Sequence, residues 1–240
     1  MEHKIRLIED SVPKSPIDQL NHTKLANSEF NKSPSPSDRV QEYGAIILAG
    51  GRSSRMGKDK ASLTFNGQTL LERLITVVSP LVSEIVVMLS AAQKLPILDS
   101  NLRQRFRIGR DSTPEQGPLQ GIADAIPELP PHLTSIYVLT CDLPFLNSHW
   151  LDKMKTVEKP AQSIVCAEYE GIINPLLALY PRDRLLMAQQ FLNSGKRSCL
   201  VLTDHQDVKL LAAPKNDPYV TSDINTPADL KKAVRILSDG

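Results

Sequence analysis

Short apolar runs alternate along the chain with longer stretches in which apolar residues recur at helical spacing. Leu70, Leu71, Leu74, Ile75 and Val78 form one such amphipathic pattern. The apolar runs predict buried strands at 44–50, 85–89, 135–140, 163–167 and 175–180, with weaker strands at 106–108 and 208–212. Helices are predicted around 70–78 and over 118–129, 148–154 (with Ser148 as its capping residue), 184–192 and 225–236. Alternating strands and helices indicate an α/β fold with a mainly parallel sheet covered on both faces.

The first 42 residues differ from this pattern. They are rich in Ser, Pro, Asn and Lys, and their apolar residues do not cluster. Such a segment buries too little apolar surface to offset the entropy lost on ordering. We therefore predict a flexible tail over 1–42 and one folded domain over 43–240.

Composition narrows the function classes. The 28 Lys and Arg residues nearly balance the 27 acidic residues, giving a formal net charge of +1. A general nucleic-acid-binding protein is usually strongly basic, so nucleic acid is not an expected partner. The three cysteines lie far apart and form no C-x-x-C pair, which is typical of reduced thiols rather than of disulfides or a zinc site. No apolar run approaches the roughly 20 residues that span a bilayer, so we expect a cytoplasmic protein with no membrane partner.

The segment LAGGRSSRMGKDK, at 48–60, carries the strongest chemical signal. It begins where the first strand ends, and Gly50 and Gly51 allow the backbone N–H groups to approach a ligand closely. Four cations fall within nine residues (Arg52, Arg55, Lys58 and Lys60). Backbone donors and cations at a strand end suit a triphosphate. The segment matches neither the Walker P-loop nor the dinucleotide fingerprint, and a merely basic surface loop is the alternative interpretation.

Two aspartates also follow strands. Asp142, in TCDLP, lies just after the apolar run at 135–140, at the carboxyl end of that predicted strand. A carboxylate in this position, facing a phosphate-binding loop, is well placed to bind Mg²⁺. Asp111 follows the 106–108 run and precedes GPLQG at 117–121. It is a candidate acceptor for hydrogen bonds from a base or ribose. A turn cap before Pro144 and a plain strand–turn–helix junction remain alternatives for the two residues.

A fourth segment, SDINTP at 222–227, offers a second metal oxygen from Asp223 or Asn225. A helix cap at Asn225 or Thr226 explains the same residues equally well.

The segments described above, taken in chain order, resemble the molybdenum cofactor guanylyltransferases. The resemblance also includes NPLLALY at 174–180 and DINTPADL at 223–230, and it covers residues 44–238. The resemblance implies a Rossmann-like, three-layer α/β nucleotidyltransferase domain. It implies transfer of GMP from GTP to the terminal phosphate of molybdenum-bound molybdopterin, with release of pyrophosphate. Mg²⁺ is the implied cofactor. Transient contacts with other cofactor-biosynthesis proteins or molybdoenzyme chaperones are a further expectation.

The same resemblance suggests residue roles. Leu48, Ala49 and Gly50, with Gly51, would line the GTP site, and Lys60 and Asp111 would also contact the nucleotide. Asp142 would bind Mg²⁺ and the nucleotide, with Asn225 as a second metal ligand. Arg55 and Lys60, with the metal on Asp142, are the predicted catalytic groups that neutralise developing charge.

The chain departs from the family pattern at two places. Some relatives have an Asn at the end of the second strand, where this chain has Met88, Leu89 or Ser90, and Asp223 replaces another Asn near the C-terminus. A cytidylyltransferase, another nucleotidyltransferase on a related phosphate, or a non-catalytic cofactor-binding protein are the rival functions. From strand-end placement and local charge, we expect pterin-binding residues toward Asn174–Pro175 and Lys196–Arg197.

Overall fold

The computed structural model describes residues 42–50, 59–113, 116–158, 163–169, 171–204 and 207–238. The predicted tail therefore lies outside the described residues except for Glu42. The loop residues 51–58, which include Gly51, Arg52, Arg55 and Lys58, also lie outside them.

Strands and helices alternate along most of the described chain, as the hydrophobic pattern predicts. The strands are β1 (Tyr43–Leu48), β2 (Thr64–Phe65), β3 (Gln68–Thr69), β4 (Glu84–Leu89), β5 (Arg107–Arg110), β6 (Ser135–Thr140), β7 (Ile164–Tyr169), β8 (Ile172–Pro181) and β9 (Val208–Ala212). The helices are α1 (Leu70–Val78), α2 (Ser100–Arg103), α3 (Pro118–Ala125), α4 (Ser148–Val157), α5 (Arg182–Leu186), α6 (Ala188–Asn193) and α7 (Pro227–Ser238). Short 3₁₀ turns occupy Lys60–Ser62, Ile126–Glu128 and Cys199–Leu202.

Seven of these strands form one sheet in the order β5-β4-β1-β6-β8-β7-β9. The pairs β4–β5, β1–β4, β1–β6 and β7–β9 are parallel, whereas β8 runs antiparallel to both of its neighbours. The predicted mainly parallel α/β sheet is confirmed. Because β5, β4, β1 and β6 are adjacent and parallel, their carboxyl ends meet at one edge, which is where α/β sheets bind ligands.

The two faces of the sheet bury separate apolar clusters. Successive residues of β1 alternate between them, with Ala45 and Ile47 in one cluster and Ile46 and Leu48 in the other. The first cluster packs against α1 and α4, and the second packs against α3, α5 and α6. Helices on both faces give the three-layer architecture and make the central strands uniformly apolar.

A third, smaller cluster holds the C-terminal helix beside the β2–β3 hairpin. Phe65 packs with Ile224 and with Ala233 of α7. The helix begins with a reciprocal cap, in which the amide N–H of Asp229 donates to Thr226 Oγ1 and the Asp229 carboxylate accepts from the amide N–H of Thr226. This packing brings the segment 222–226 to the edge of the sheet where β6 ends.

Several element boundaries differ from the sequence expectations. The cap of α4 is Asn147, whose side chain accepts from the amide N–H of Trp150, and not the predicted Ser148. The helix predicted over 184–192 is two short helices that meet at Met187. The β2–β3 hairpin and α2 were not predicted, because their few residues carry too little periodicity to distinguish them from loops.

Candidate active site

A cleft of about 790 Å³ opens at the carboxyl ends of β1, β4, β5 and β6. Its walls combine strand-end residues with the start of α3, and the side chains among the described lining residues that are charged at neutral pH are Lys60, Asp111 and Asp142. Leu48, Ala49 and Gly50 also line it. The structure thus brings together all of the predicted nucleotide-contacting residues that it describes.

The chain turns sharply where it leaves β1. The amide N–H groups of Ala49 and Gly50 both donate to the carbonyl oxygen of Met88, at 2.9 and 3.0 Å. A Cβ atom on Gly50 would lie 2.7 Å from the backbone nitrogen of Ser90, too close for any other residue unless the backbone moves. This turn starts the predicted phosphate loop, and its next residues, 51–58, lie outside the described part of the chain.

Lys60 joins two segments that are distant in sequence. Its ammonium donates to Asp142 Oδ2 at 2.8 Å and to Asn225 Oδ1 at 2.7 Å. The Asp142 carbonyl oxygen accepts from the amide N–H of Ile224 at 2.9 Å, which fixes the 223–225 segment against the end of β6. Lys60 and Asp142 keep side-chain exposures of only 20% and 13%. Limited solvent access leaves this ion pair less screened than a surface pair.

The second carboxylate oxygen of Asp142 differs from the first. Within the described residues, Asp142 Oδ1 is buried and has no hydrogen-bond partner. A buried carboxylate oxygen without a partner loses its hydration and is unfavourable unless a ligand satisfies it. Among the same residues, no group of three His, Cys, Asp or Glu side chains could hold a metal. Asp142 Oδ1 is therefore the atom best suited to a cation held mainly by one carboxylate and phosphate oxygens.

Asp111 lies on the opposite side of the cleft, directly after β5. Its amide N–H donates to the carbonyl of Leu89 at 3.0 Å, and a Cβ on Gly121 would come within 3.2 Å of its Oδ1. Burial raises the pKa of the Asp111 carboxyl, and the negative charge of Asp124 raises that pKa further. A half-buried carboxylate of this kind is poised to accept hydrogen bonds from a bound ligand.

A second acid, Asp124 on α3, organises the residues after Asp111. It accepts from the amide N–H and hydroxyl of Ser112, at 2.8 and 2.9 Å, and from Gln120 Nε2 at 3.0 Å. These bonds hold the start of the 111–113 loop against α3. Residues 114–115 lie outside the described chain.

Three residues that shape the cleft were not anticipated. Gln93 donates through Nε2 to the Ala49 carbonyl and to Asp59 Oδ2, and its Oε1 accepts from the amide N–H of Ser90. Arg110 donates to carbonyls of the same loop. Arg73 donates its Nε to the carbonyl of Pro144 and holds the turn after Asp142. No local motif marks them, because each acts on a segment brought close only by the fold.

The cysteine beside Asp142 has a packing role. Cys141 is buried in the apolar cluster of the first sheet face, and burial raises the pKa of its thiol. A protonated, enclosed thiol is a poor nucleophile.

The segments expected near the pterin lie in two different places. Asn174 and Pro175 line a neighbouring groove of about 510 Å³, together with Phe145, Tyr169 and Lys232. The segment containing Lys196 and Arg197 lies at the other rim, where the Arg197 carbonyl is 4.0 Å from the Cβ position of Gly117. Both cations contact α6: Lys196 lies over the ring of Phe191, and Arg197 donates to the carbonyl of Leu192.

Comparison with known proteins agrees with this geometry. Residues 45–208 match the family model described as the MobA-like NTP transferase domain. A protein from Nostoc sp. named probable molybdenum cofactor guanylyltransferase is 31% identical over 193 residues, covering 78% of this chain and 87% of its own length. A protein of the same name from Carboxydothermus hydrogenoformans is 28% identical over 205 residues, covering 83% and 98%.

A solved structure shares the fold. Molybdopterin-guanine dinucleotide biosynthesis protein A from Archaeoglobus fulgidus superposes with a TM-score of 0.65 at 24% identity, covering 82% of this chain and all of that one. Within the described residues, no helix is both long and apolar enough to cross a membrane.

Proposed function

We propose that this chain, which belongs to the MobA-like NTP transferase family, transfers GMP from GTP to molybdopterin and releases pyrophosphate. It is a nucleotidyltransferase, and its relatives are named molybdenum cofactor guanylyltransferases. The observation that carries the proposal is the contact of Lys60 with Asp142 and Asn225 at the mouth of the β1 turn. That contact joins a cation, a carboxylate and an amide where a triphosphate would enter.

The reaction requires positioning of the substrates and neutralisation of charge more than it requires acid–base catalysis. The terminal phosphate of molybdopterin is already a nucleophile at neutral pH. One of its oxygens attacks the α-phosphorus of GTP as the bond to the pyrophosphate oxygen breaks, and pyrophosphate leaves with the bonding electrons. The protein must bring two mutually repelling anions into line and offset the charge that develops between them.

The residues near Asp142 fit a magnesium ion. Asp142 Oδ1 is the orphaned buried oxygen, and the amide oxygen of Asn225 lies 2.7 Å from the Lys60 ammonium that also bonds Asp142 Oδ2. Mg²⁺ typically takes one or two protein ligands and completes its shell with phosphate oxygens and water. Bound there, it would neutralise charge on the triphosphate and on the leaving pyrophosphate.

Lys60 is the protein cation that we propose neutralises the same negative charge on the phosphates. Its ammonium is tethered by two acceptors, so it meets the phosphates with little loss of side-chain freedom. Arg55, in the loop outside the described residues, is the second proposed cation. Gly50 and Gly51 are proposed to let the backbone N–H groups of that loop approach the phosphates.

Asp111 is proposed to recognise the base. Guanine presents two adjacent donors, the ring N1–H and the exocyclic amino group, and a carboxylate accepts from both. Cytosine lacks this donor pair. We propose that the pterin approaches from the side of Asn174–Pro175 and Lys196–Arg197.

We further propose that the protein acts in the cytoplasm, with transient contacts to other cofactor-biosynthesis proteins or molybdoenzyme chaperones. All three cysteines are free and buried, as expected of a chain kept in a reducing compartment. Cell fractionation followed by detection of the chain would test the location.

The first test is thermal stabilisation by GTP, CTP, ATP and UTP, each with and without Mg²⁺. A ligand at about 100 times its dissociation constant adds about 2.7 kcal/mol to the free energy of unfolding, which raises the melting temperature visibly. We expect a rise confined to GTP and enlarged by Mg²⁺, followed by detection of GMP transfer to molybdopterin. A preference for CTP would point to a cytidylyltransferase, and no shift with any nucleotide would contradict the proposal.

A further inference from the structure

The loop that follows β4 is folded around one side chain from the neighbouring strand. A single guanidinium nitrogen of Arg110, Nη1, donates to the carbonyl oxygens of Ser90, Ala91 and Gln93 at 3.0, 3.1 and 2.9 Å. Three of the four carbonyls in 90–93 are thus gathered on Arg110. Charge-assisted bonds of this kind are stronger than neutral ones, so the loop has a defined shape.

The same loop forms a wall of the nucleotide cleft. Ser90, Ala91 and Ala92 line the cleft, on the β4 side of Asp111. Gln93 fastens the loop to the turn after β1, because its Nε2 lies 2.9 Å from the Ala49 carbonyl. Arg110 is therefore coupled to the β1 turn through the loop, although it does not line the cleft itself.

Binding the carbonyls changes which polar groups the loop offers to a ligand. Acceptor oxygens that point to Arg110 are not available to a base. Within the described residues, the amide N–H groups of Ala91 and Ala92 donate to no protein atom. The cleft wall at 91–92 therefore offers two amide donors, while one of its two carbonyls, that of Ala91, is held by Arg110.

A donor-rich wall suits a base whose edge carries acceptors. Guanine presents O6 and N7 as acceptors on one edge, whereas adenine and cytosine carry an amino group at the position corresponding to O6. An amino group facing these N–H donors cannot form a hydrogen bond. Ala91 and Ala92 are exposed in the free protein, so the donors become buried only when a base covers them, and a bound base that leaves buried donors unpaired is strongly disfavoured. Asp111 provides the complementary acceptor for the guanine N1–H and amino group.

We infer that Arg110 is a positioning residue for base selection: by holding the carbonyls of Ser90, Ala91 and Gln93, it leaves the loop as a donor wall that favours the O6 edge of guanine. This inference rests on the proposed use of GTP. It adds a residue that touches neither the nucleotide nor the metal but decides which base the cleft accepts.

The test compares Arg110→Ala and Arg110→Lys with Arg107→Ala. Arg107 lies on the same strand but pairs with Glu84, away from the loop. For each purified full-length variant, dissociation constants are measured for GTP, ATP and ITP. ITP keeps O6 but lacks the amino group that Asp111 is proposed to hold, so it reports the Asp111 side separately.

We expect Arg110→Ala to lower the preference for GTP over ATP by at least about tenfold, because the hydrogen bonds that distinguish the two bases would be lost. The preference for GTP over ITP should stay unchanged, because the amino-group contact remains. Arg110→Lys should restore part of the GTP preference, since an ammonium also donates to carbonyls. Arg107→Ala should match the wild type.

Equal weakening of GTP and ATP in Arg110→Ala, with an unchanged ratio, would overturn the inference and leave Arg110 as a structural residue only. An Arg107→Ala variant with the same loss of ratio would also overturn it. A wild-type chain that binds GTP no better than ATP would refute the proposed function itself, which separates the two failures.

Discussion

The ammonium nitrogen of Lys60 lies 2.8 Å from Oδ2 of Asp142, although the two residues are 82 positions apart in the sequence. The contact joins the segment after β1 to the end of β6. Because the other oxygen of Asp142 is buried without a partner among the described residues, the carboxylate can keep Lys60 and still accept a cation. This arrangement supports the proposal that Lys60 and Asp142 act on the same triphosphate from two sides.

Replacing Lys60 by Ala should lower kcat for GMP transfer by about 100-fold to 1,000-fold, as removal of one preorganised donor does at an oxyanion site. The melting temperature of the free protein should fall, because the largely buried Asp142 carboxylate loses its cationic partner, so kcat is compared well below the melting transition. Steady-state kinetics with GTP and molybdopterin give the measurement. Lys231→Ala, an exposed lysine of α7, is the matched control. A Lys60→Ala variant with unchanged kcat would exclude Lys60 from the reaction.

Asp142→Asn should remove the dependence of GTP binding on Mg²⁺. The amide can still accept from Lys60, but it lacks the negative charge that attracts the metal. Thermal shifts with GTP, titrated with Mg²⁺, should therefore lose their metal-dependent part while the fold is retained. Asp152→Asn, an exposed carboxylate on α4, should behave as wild type. Retention of the full Mg²⁺ effect in Asp142→Asn would place the metal elsewhere.

The free protein should carry a small pH-dependent instability from Asp111. Burial and Asp124 raise the pKa of the Asp111 carboxyl in the folded chain above its unfolded value of 3.8. Below both pKa values this group has no effect on stability, and as pH rises through them the folded state loses stability, because it resists ionisation. Asp111→Asn should therefore melt higher than wild type at neutral pH, and by a smaller margin at acidic pH. A constant margin across pH would contradict this assignment.

Binding of GTP should have the opposite pH dependence. If Asp111 accepts from guanine, the bound state needs the ionised carboxylate, so GTP affinity should fall as pH drops through the raised pKa of Asp111. Calorimetric titrations over a pH series measure it. The triphosphate itself also titrates, and the Asp111→Asn variant corrects for that. The same pH slope in both proteins would rule Asp111 out as a base contact.

Gly50→Ala should abolish most of the GTP-induced thermal shift. The new methyl group would lie 2.7 Å from the Ser90 nitrogen and 3.2 Å from the Leu89 carbonyl carbon, so the turn after β1 must move. Gly67→Ala is the control: its φ of +78° strains the alanine, but nothing lies within 4 Å of the new Cβ. That variant should melt lower yet keep its response to GTP. Equal GTP responses in both variants would show that the turn does not shape the nucleotide site.

The double variant Lys196→Ala and Arg197→Ala should raise KM for molybdopterin and leave the affinity for GTP unchanged. The two cations lie on the rim near Gly117, where their positive charge can attract the phosphate of the acceptor. Replacement of Arg105 and Lys231, which are both exposed and lie elsewhere, gives a charge-matched control. An unchanged pterin KM would refute the expectation for this segment.

Local sequence determined most of the secondary structure and part of the site. The run SIYVLT predicts β6 to the residue, since an uninterrupted apolar run is long enough for a buried strand and too short for a helix. Asp111 and Asp142 were selected as candidates because each lies just past the end of a strand, and parallel strands place their carboxyl ends together. The cap of α4 was assigned one residue late, because Asn147 and Ser148 are both good capping residues and only the observed hydrogen bond separates them.

Only the tertiary structure decided which of these residues meet. The sequence suggested two roles for Asn225, as a metal ligand or as a helix cap. The fold shows a further contact, in which the Lys60 ammonium donates to Asn225 Oδ1 at 2.7 Å. Gln93 and Arg110 had no signal at all, because a glutamine in a loop and an arginine at a strand end are ordinary surface residues. Their roles arise from the strand order β5-β4-β1, which sets the loop after β4, with Gln93 in it, between Arg110 and the turn after β1. Spacing along a chain encodes local periodicity, whereas contacts between distant segments depend on how the sheet is assembled.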